Sequence, residues 1–170
     1  MVVMQLEEFY DYKNQLLEDI LTDAEIVTLI NGSVDVEDAA SLVYTQVFPC
    51  EYVPKTIDEG LTYICCDVDI QRSLGKPLYM PTIYIWVFAH RSNLRLPEGG
   101  LRVDKLCSKI CEKINGSFKY GAGALQFISS KRFAPLTDYQ GKCLIFHAED
   151  FALQFNPNKE VPANRKRANG

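Results

Sequence analysis

The stretch TIYIWVFAH, residues 82–90, restricts the fold more than any other part of the chain. Ile83, Ile85, Val87 and Ala89 form one row of a strand, and Tyr84, Trp86 and Phe88 form the other. A strand that is apolar on both faces has to be covered on both, either at the centre of a sheet or at an interface between subunits. The neighbouring sequence supplies partners for it. In TYICCDVDI (62–70), Ile64, Cys66, Val68 and Ile70 point one way and Tyr63, Cys65, Asp67 and Asp69 the other, the pattern of a half-buried strand with a hydrophilic outer face. LQFISSKRFAPL (125–136) and GKCLIFHAEDF (141–151) read as two more strands joined by the turn TDYQG. The stretch QRSLGKPLYMP (71–81) holds Gly75, Pro77 and Pro81 and reads as a loop, too long for a tight hairpin and therefore expected to project as an arm. Its apolar residues Leu74, Leu78, Tyr79 and Met80 are the expected contacts with a neighbouring subunit, because such residues seldom stay in water on a loop without a partner.

Helices precede and interrupt these strands. In residues 5–21, Phe9, Leu16, Leu17, Ile20 and Leu21 recur at helical spacing with acids between them. Thr22-Asp-Ala-Glu25 has the form of a capping box and opens a second short helix, which Asn31-Gly32 ends. Asp35 is the expected cap of a third, through Ala39, Ala40, Leu42 and Val43. VFPCEYVP (47–54) has two prolines and reads as an extended crossing segment. In residues 101–116, Val103, Leu106, Cys107, Ile110, Cys111 and Ile114 form one apolar stripe, which predicts a long helix lying across the sheet and closed by Asn115-Gly116. The order is helices, two strands, a helix, two strands. It predicts an α+β domain with a mainly antiparallel sheet, N-terminal helices, one long helix packed across a face and a projecting hairpin arm.

This domain is expected to occupy residues 1–155, with 156–170 as an extended basic tail. NPNKEVPANRKRANG is too polar to bury itself, so its order has to come from another surface. The whole chain carries −4; these last fifteen residues carry +3, which leaves the body near −7. An acidic body is a poor candidate for wrapping nucleic acid. The tail is expected to dock Phe155, Pro157, Val161 and Pro162 in shallow grooves and Arg165, Lys166 and Arg167 against carboxylates of an adjacent subunit or another protein. No apolar run reaches the length of a membrane span, and the acidic start lacks the features of a signal peptide, so a cytosolic product is expected.

Chemistry-bearing motifs are scarce. The six cysteines (50, 65, 66, 107, 111 and 143) include no Cys-x-x-Cys pair, and they read as reduced, metal-free thiols acting as small hydrophobes. Cys65 and Cys66 are adjacent on a strand and so point to opposite faces. Asp67 and Asp69 share a face but read as part of its polar surface. His90 and His147 stand near strand ends with no nucleophile in a triad context. Gly121-Ala-Gly123 precedes a strand rather than following one, so it does not match a dinucleotide-binding turn. Gly99-Gly100 before the long helix reads as an entry turn. No catalytic role, metal or cofactor is expected.

LVYTQVFPCEYVPKT, YICCDVDI, PTIYIWVFAH, GGLRVDKLCSKICEKING and LQFISSKRFAPLTDYQGKCLIFHAEDF resemble small tail and neck proteins of tailed phages and prophages, especially those of phages infecting Gram-positive bacteria. The resemblance runs over about residues 14–151. It implies a tail terminator: a structural virion protein forming a homohexameric ring that caps the tail tube protein and meets the neck or connector protein of the head. DNA would pass through the lumen without sequence-specific binding, and no membrane would be involved. A neck or head-completion adaptor on the portal side is the alternative within this class. A small cytosolic enzyme or ligand-binding domain is the alternative outside it, and requires a deep pocket converging on His90, His147 or the Asp67/Asp69 pair.

Overall fold

A computed structural model describes residues 2–32, 36–54, 60–72, 79–120 and 123–148. Helix α1 spans Val2–Leu21 and α2 Ala24–Asn31, followed by a 3-10 segment Val36–Leu42. The strands are β1 Val47–Phe48, β2 Thr62–Arg72, β3 Tyr79–His90, β4 Leu125–Phe133 and β5 Tyr139–Ala148. Helix α3, Arg102–Ile114, stands between β3 and β4. The five strands form one sheet in the order β1-β2-β3-β5-β4. Of the four strand pairings among the described residues, β1–β2 is parallel and the other three are antiparallel. The fold is therefore α+β with a mostly antiparallel sheet, and β3 holds the centre that its two apolar faces demand.

Each face of β3 packs in its own cluster. On the helix side Ile83, Ile85, Val87 and Ala89 meet Leu16 and Ile20 of α1, Ile26 and Ile30 of α2, and Val103, Leu106, Cys107, Ile110 and Ile114 of α3. On the outer side Phe88 lies with Phe48, Tyr63, Cys65 and Tyr139. Phe48 stacks on Tyr52 at 3.9 Å between ring centroids, and contacts pass on from Tyr52 to Tyr63, Phe88 and Phe133. Of the 47–54 segment, read as an extended crossing, only Val47–Phe48 is strand, paired beside β2; the chain then bends at Pro49 and Cys50 and lays Tyr52 over the outer cluster. This corrects the reading of β2 as hydrophilic on that side. Tyr63 and Cys65 are buried there, and only its later residues Asp67 and Asp69 reach water. Cys65 and Cys66 do fall in opposite clusters.

Three local expectations shift by a few residues. Asp23, not Thr22, caps α2: its carboxylate accepts from the amides of Glu25 and Ile26 at 3.0 and 3.2 Å, while the Thr22 hydroxyl donates back to the Asp19 carbonyl. An aspartate one position closer to the helix supplies a charged acceptor where the threonine would offer a neutral one. Gly32 ends α2 at φ +80, donating its amide to the Thr28 carbonyl, as expected. The expected cap Asp35 lies outside the described residues. Gly141 is not a turn residue but sits inside β5, opposite Phe88 on one side and Phe133 on the other. The Phe88 and Phe133 rings meet at 5.5 Å across it. The 71–81 arm is shorter than a loop reading implies, because β2 and β3 pair out to Arg72 and Tyr79.

One buried acid fastens the N-terminal helix to the loop that follows α3. Asp19 is 5 % exposed; it accepts from the Tyr120 hydroxyl at 2.6 Å and the Lys119 ammonium at 2.6 Å. Burial, and then the Asp19 carboxylate, push the Tyr120 phenol well above its ordinary value, so it stays a donor. Replacing Asp19 by alanine strands a buried hydroxyl. It should lower stability by about 2–3 kcal/mol in urea melts, whereas Lys119→Ala, removing an exposed ammonium, should cost under about 1 kcal/mol.

Candidate interaction surface

The hairpin of β2 and β3 outruns its neighbours. The last β3–β5 rung is Thr82↔His147, and β1 meets β2 only at Ile64 and Cys65. The rungs Ile70↔Pro81, Gln71↔Met80 and Arg72↔Tyr79 are therefore two-stranded among the described residues. Pro81 lacks an amide donor, which the end of a ladder tolerates better than its middle. Residues 73–78, with Leu74 and Leu78, lie outside the described residues, as do the side chains of Tyr79 and Met80. So do Val161, Pro162, Arg165, Lys166 and Arg167 with the rest of the 156–170 segment.

The outer face of the sheet carries a second feature that the sequence reading did not single out. Past the Tyr52 roof, Tyr84 and Trp86 on β3 and Ile145 on β5 are half-buried, with Cys143 between them nearly covered. Tyr84 stacks on Trp86 at 5.7 Å. Register places Tyr84 beside Ile145 and Trp86 beside Cys143, so the four form a strip two strands wide. Asp67 borders it on β2 and Lys131 on β4. The alternation of TIYIWVFAH contained this row; what it could not tell is where the roof over the row stops.

The open edge of the sheet at β4 is guarded. The amide of Leu125 donates to the Ser117 carbonyl and its carbonyl accepts from Gly116, at 2.8 and 2.6 Å. The Phe127 amide donates to the Asn115 side chain at 2.8 Å. A bulge between Phe127 and Ser129 breaks the ladder, and Lys131 and Arg132 follow. Loop capping, a bulge and charge are the usual defences of an edge strand. Phe127 and Ile128 stay partly exposed beside it, and so does Phe118 on the loop after α3.

The residues weighed for chemistry do not converge. His90 sits beside Tyr139 and His147 beside Thr82, at opposite ends of the same pair of strands, roughly 26 Å apart at strand rise. His90 accepts from the Ser92 amide through Nδ1 and caps a 3-10 turn. Asp67 pairs with Lys13 of α1. Among the described residues, no group of three His, Cys, Asp or Glu side chains is arranged to hold a metal. A groove of about 470 Å³ lies between α2 and the start of α3, lined by Ala24, Thr28, Leu29, Leu96 and Arg102 among others. None of the four candidate residues lines it. Its cations are engaged: Arg102 donates to the Leu29 and Asn93 carbonyls at 2.6 and 2.9 Å, and Lys105 meets Glu98 at 2.7 Å.

All six cysteines are free, and four of them are buried. Burial pushes the Cys65 and Cys107 thiols up to about 12, and raises those of Cys66, Cys111 and Cys143. A thiol held protonated is a poor nucleophile and a poor metal ligand. Only Cys50 is exposed. In a thiol-reagent titration of the folded protein, Cys50 should react quickly and Cys111 slowly. The other four should wait for denaturant, and several fast thiols in native buffer would contradict this packing.

With the fold and surface in view, comparison with known families decides the lineage. The pattern of the family described as YomW matches residues 9–148. The chain belongs to the YomW family. YomW is a name given to a Bacillus prophage gene, and the chain is phage-associated. The YomW match begins within α1 and ends on the last residue of β5, so it takes in all five strands together with α2 and α3. No curated protein and no solved structure matches the chain. Among the described residues, no helix is long and apolar enough to cross a membrane.

Proposed function

We propose that the chain is a structural virion protein, the tail terminator of a phage: a ring, six copies around, that caps the tail tube and offers the head side a docking face. Its role is assembly rather than catalysis. The observation that carries this reading is the two-stranded extension of β2 and β3 beyond the rest of the sheet, in a chain of a phage-associated family. A hairpin that leaves its own sheet gives up flanking partners on both sides, and a neighbouring subunit can restore them. Leu74, Leu78, Tyr79 and Met80 are the contacts proposed for that arm, with Val161, Pro162, Arg165, Lys166 and Arg167 of the basic segment reaching an adjacent copy or a neck protein. An acidic body near −7 suits a lumen through which DNA slides without sticking.

The test is assembly. Native mass measurement and electron microscopy of the purified protein with tail tubes should find sixfold rings on tube ends. Replacing residues 71–81 by a two-residue turn should leave the subunit folded and abolish rings and capping. A shortened protein that still caps tubes would remove the arm from the account. A twelvefold ring binding the portal side would instead favour the neck adaptor. A monomer that binds small ligands in the groove between α2 and α3 would favour a ligand-binding domain.

A further inference from the structure

In the strip of Tyr84, Trp86, Cys143 and Ile145, Trp86 packs on the outer cluster beside Phe133 and Cys143 is buried, but Tyr84 and Ile145 stay half-buried. Tyr84 and Ile145 belong to neither apolar cluster, although they lie on the two central strands of the sheet. At its upper end the hydroxyl of Thr82, a residue only 1 % exposed, has no hydrogen-bond partner. A buried, unsatisfied hydroxyl beside half-covered aromatic rings is the mark of a surface whose occupant brings both apolar side chains and backbone polar groups.

We propose that the occupant is the chain's own continuation: residues 149–155 turn back from the end of β5 and lay Phe151, Leu153 and Phe155 along the strip. Three observations favour it. The continuation starts where the strip starts, because Ala148 directly follows His147, the rung partner of Thr82. In FALQF, residues 151–155, the apolar side chains fall on every second residue, so an extended chain presents Phe151, Leu153 and Phe155 on one side. The dimensions agree: the four steps from Phe151 to Phe155 span roughly 13 Å in an extended chain, and the four from Thr82 to Trp86 span about 13 Å. The strip is also narrow, hemmed by Asp67 on one side and Lys131 on the other, which suits a single extended segment better than the broad face of a second subunit. Seated this way, the segment gives the Thr82 hydroxyl a backbone partner. It also releases the basic residues 156–170 from a fixed point on the outer face. The proposal holds whether or not the chain forms a ring.

Trp86 is the only tryptophan, so its fluorescence reports on the strip directly. The full chain is compared with the full chain carrying Phe151→Ser, Leu153→Ser and Phe155→Ser together, and with Phe118→Ser as a control at an exposed phenylalanine elsewhere. The triple variant should show about a twofold rise in acrylamide quenching and a red-shifted emission as the ring opens to water, and the control should not. Protection in the parent should be independent of protein concentration. Protection that disappears on dilution would mean a second copy covers the strip and would overturn the proposal, as would equal quenching in parent and variant. Should the triple variant fail to fold, the single variant Leu153→Ser in the full chain is measured in its place: raised quenching of Trp86 supports the proposal, and quenching equal to the parent overturns it.

Discussion

Gly141→Ala should be among the most damaging single-methyl additions in the chain, lowering stability by on the order of 3–5 kcal/mol. A methyl group there would run into the Val87 carbonyl oxygen and lie 2.5 Å from the Phe88 Cβ and 2.7 Å from its Cα. The obstacles are main-chain atoms of the central strand and the first carbon of a fully buried side chain. No rotamer change can clear them, so β3 and β5 have to separate. Separation would also break the contact of Phe88 with Phe133 over the gap. Gly32→Ala is the proper comparison. A Cβ at Gly32 meets nothing within 4 Å, and only its φ of +80 opposes substitution, at about 1–2 kcal/mol. Chemical denaturation of both variants tests the contrast. Similar losses would mean that β5 can shift at Gly141 and that the close approach is not rigid.

Ile110→Asp is the second large effect. Ile110 is fully buried in the α3 stripe against the sheet. The change removes a core side chain and puts a carboxylate where the surroundings are apolar, at a combined cost on the order of 4–6 kcal/mol. That is comparable to the entire stability of many domains, so the variant should be largely unfolded or insoluble at neutral pH. Cys107→Ser, one turn earlier on the same stripe, should cost only about 1–3 kcal/mol, because it exchanges a nearly apolar thiol for a hydroxyl of similar size. Thermal melts of the pair would rank them. A folded Ile110→Asp protein with an ordinary melting temperature would show that α3 does not seal the helix face of the sheet.

The parts of the fold legible in the sequence were those with a period. The α3 stripe and the two rows of β3 are set by which residues must leave water, and such patterns survive without any knowledge of their partners. Features made by distant partners left no such trace. Asp19 reads as one more acid on an amphipathic helix, and only the meeting with Lys119 and Tyr120 makes it a buried anchor. Gly141 reads as part of a turn because glycine and the preceding TDYQ suggest one; the closeness of Val87 gives it another purpose. Tyr63 and Cys65 were outweighed by Asp67 and Asp69 in the same row, since the roof supplied by Tyr52 comes from another segment. The two residues of β1 are too few to show any period. For the surface, the apolar row of β3 was visible but its uncovered portion was not, because coverage is a property of the whole chain.

The wiring of the sheet also has a consequence for how the molecule forms. β2 and β3 follow one another and pair as a hairpin, as do β4 and β5, but the seam between β3 and β5 closes only across the whole of α3. Hairpins form in about 1–10 μs, whereas pairing across a long loop has first to meet the entropy of closing it. The two hairpins are therefore expected to appear early and the seam late. In the interval TIYIWVFAH is an unpaired edge, apolar on both faces, with the composition that drives intermolecular strand pairing. Refolding yield should fall steeply as protein concentration rises. In pulsed hydrogen exchange, the β3 amides that point toward β2 should gain protection before those that point toward β5. The strand that ends at the centre of the sheet is, while the chain folds, its most dangerous border.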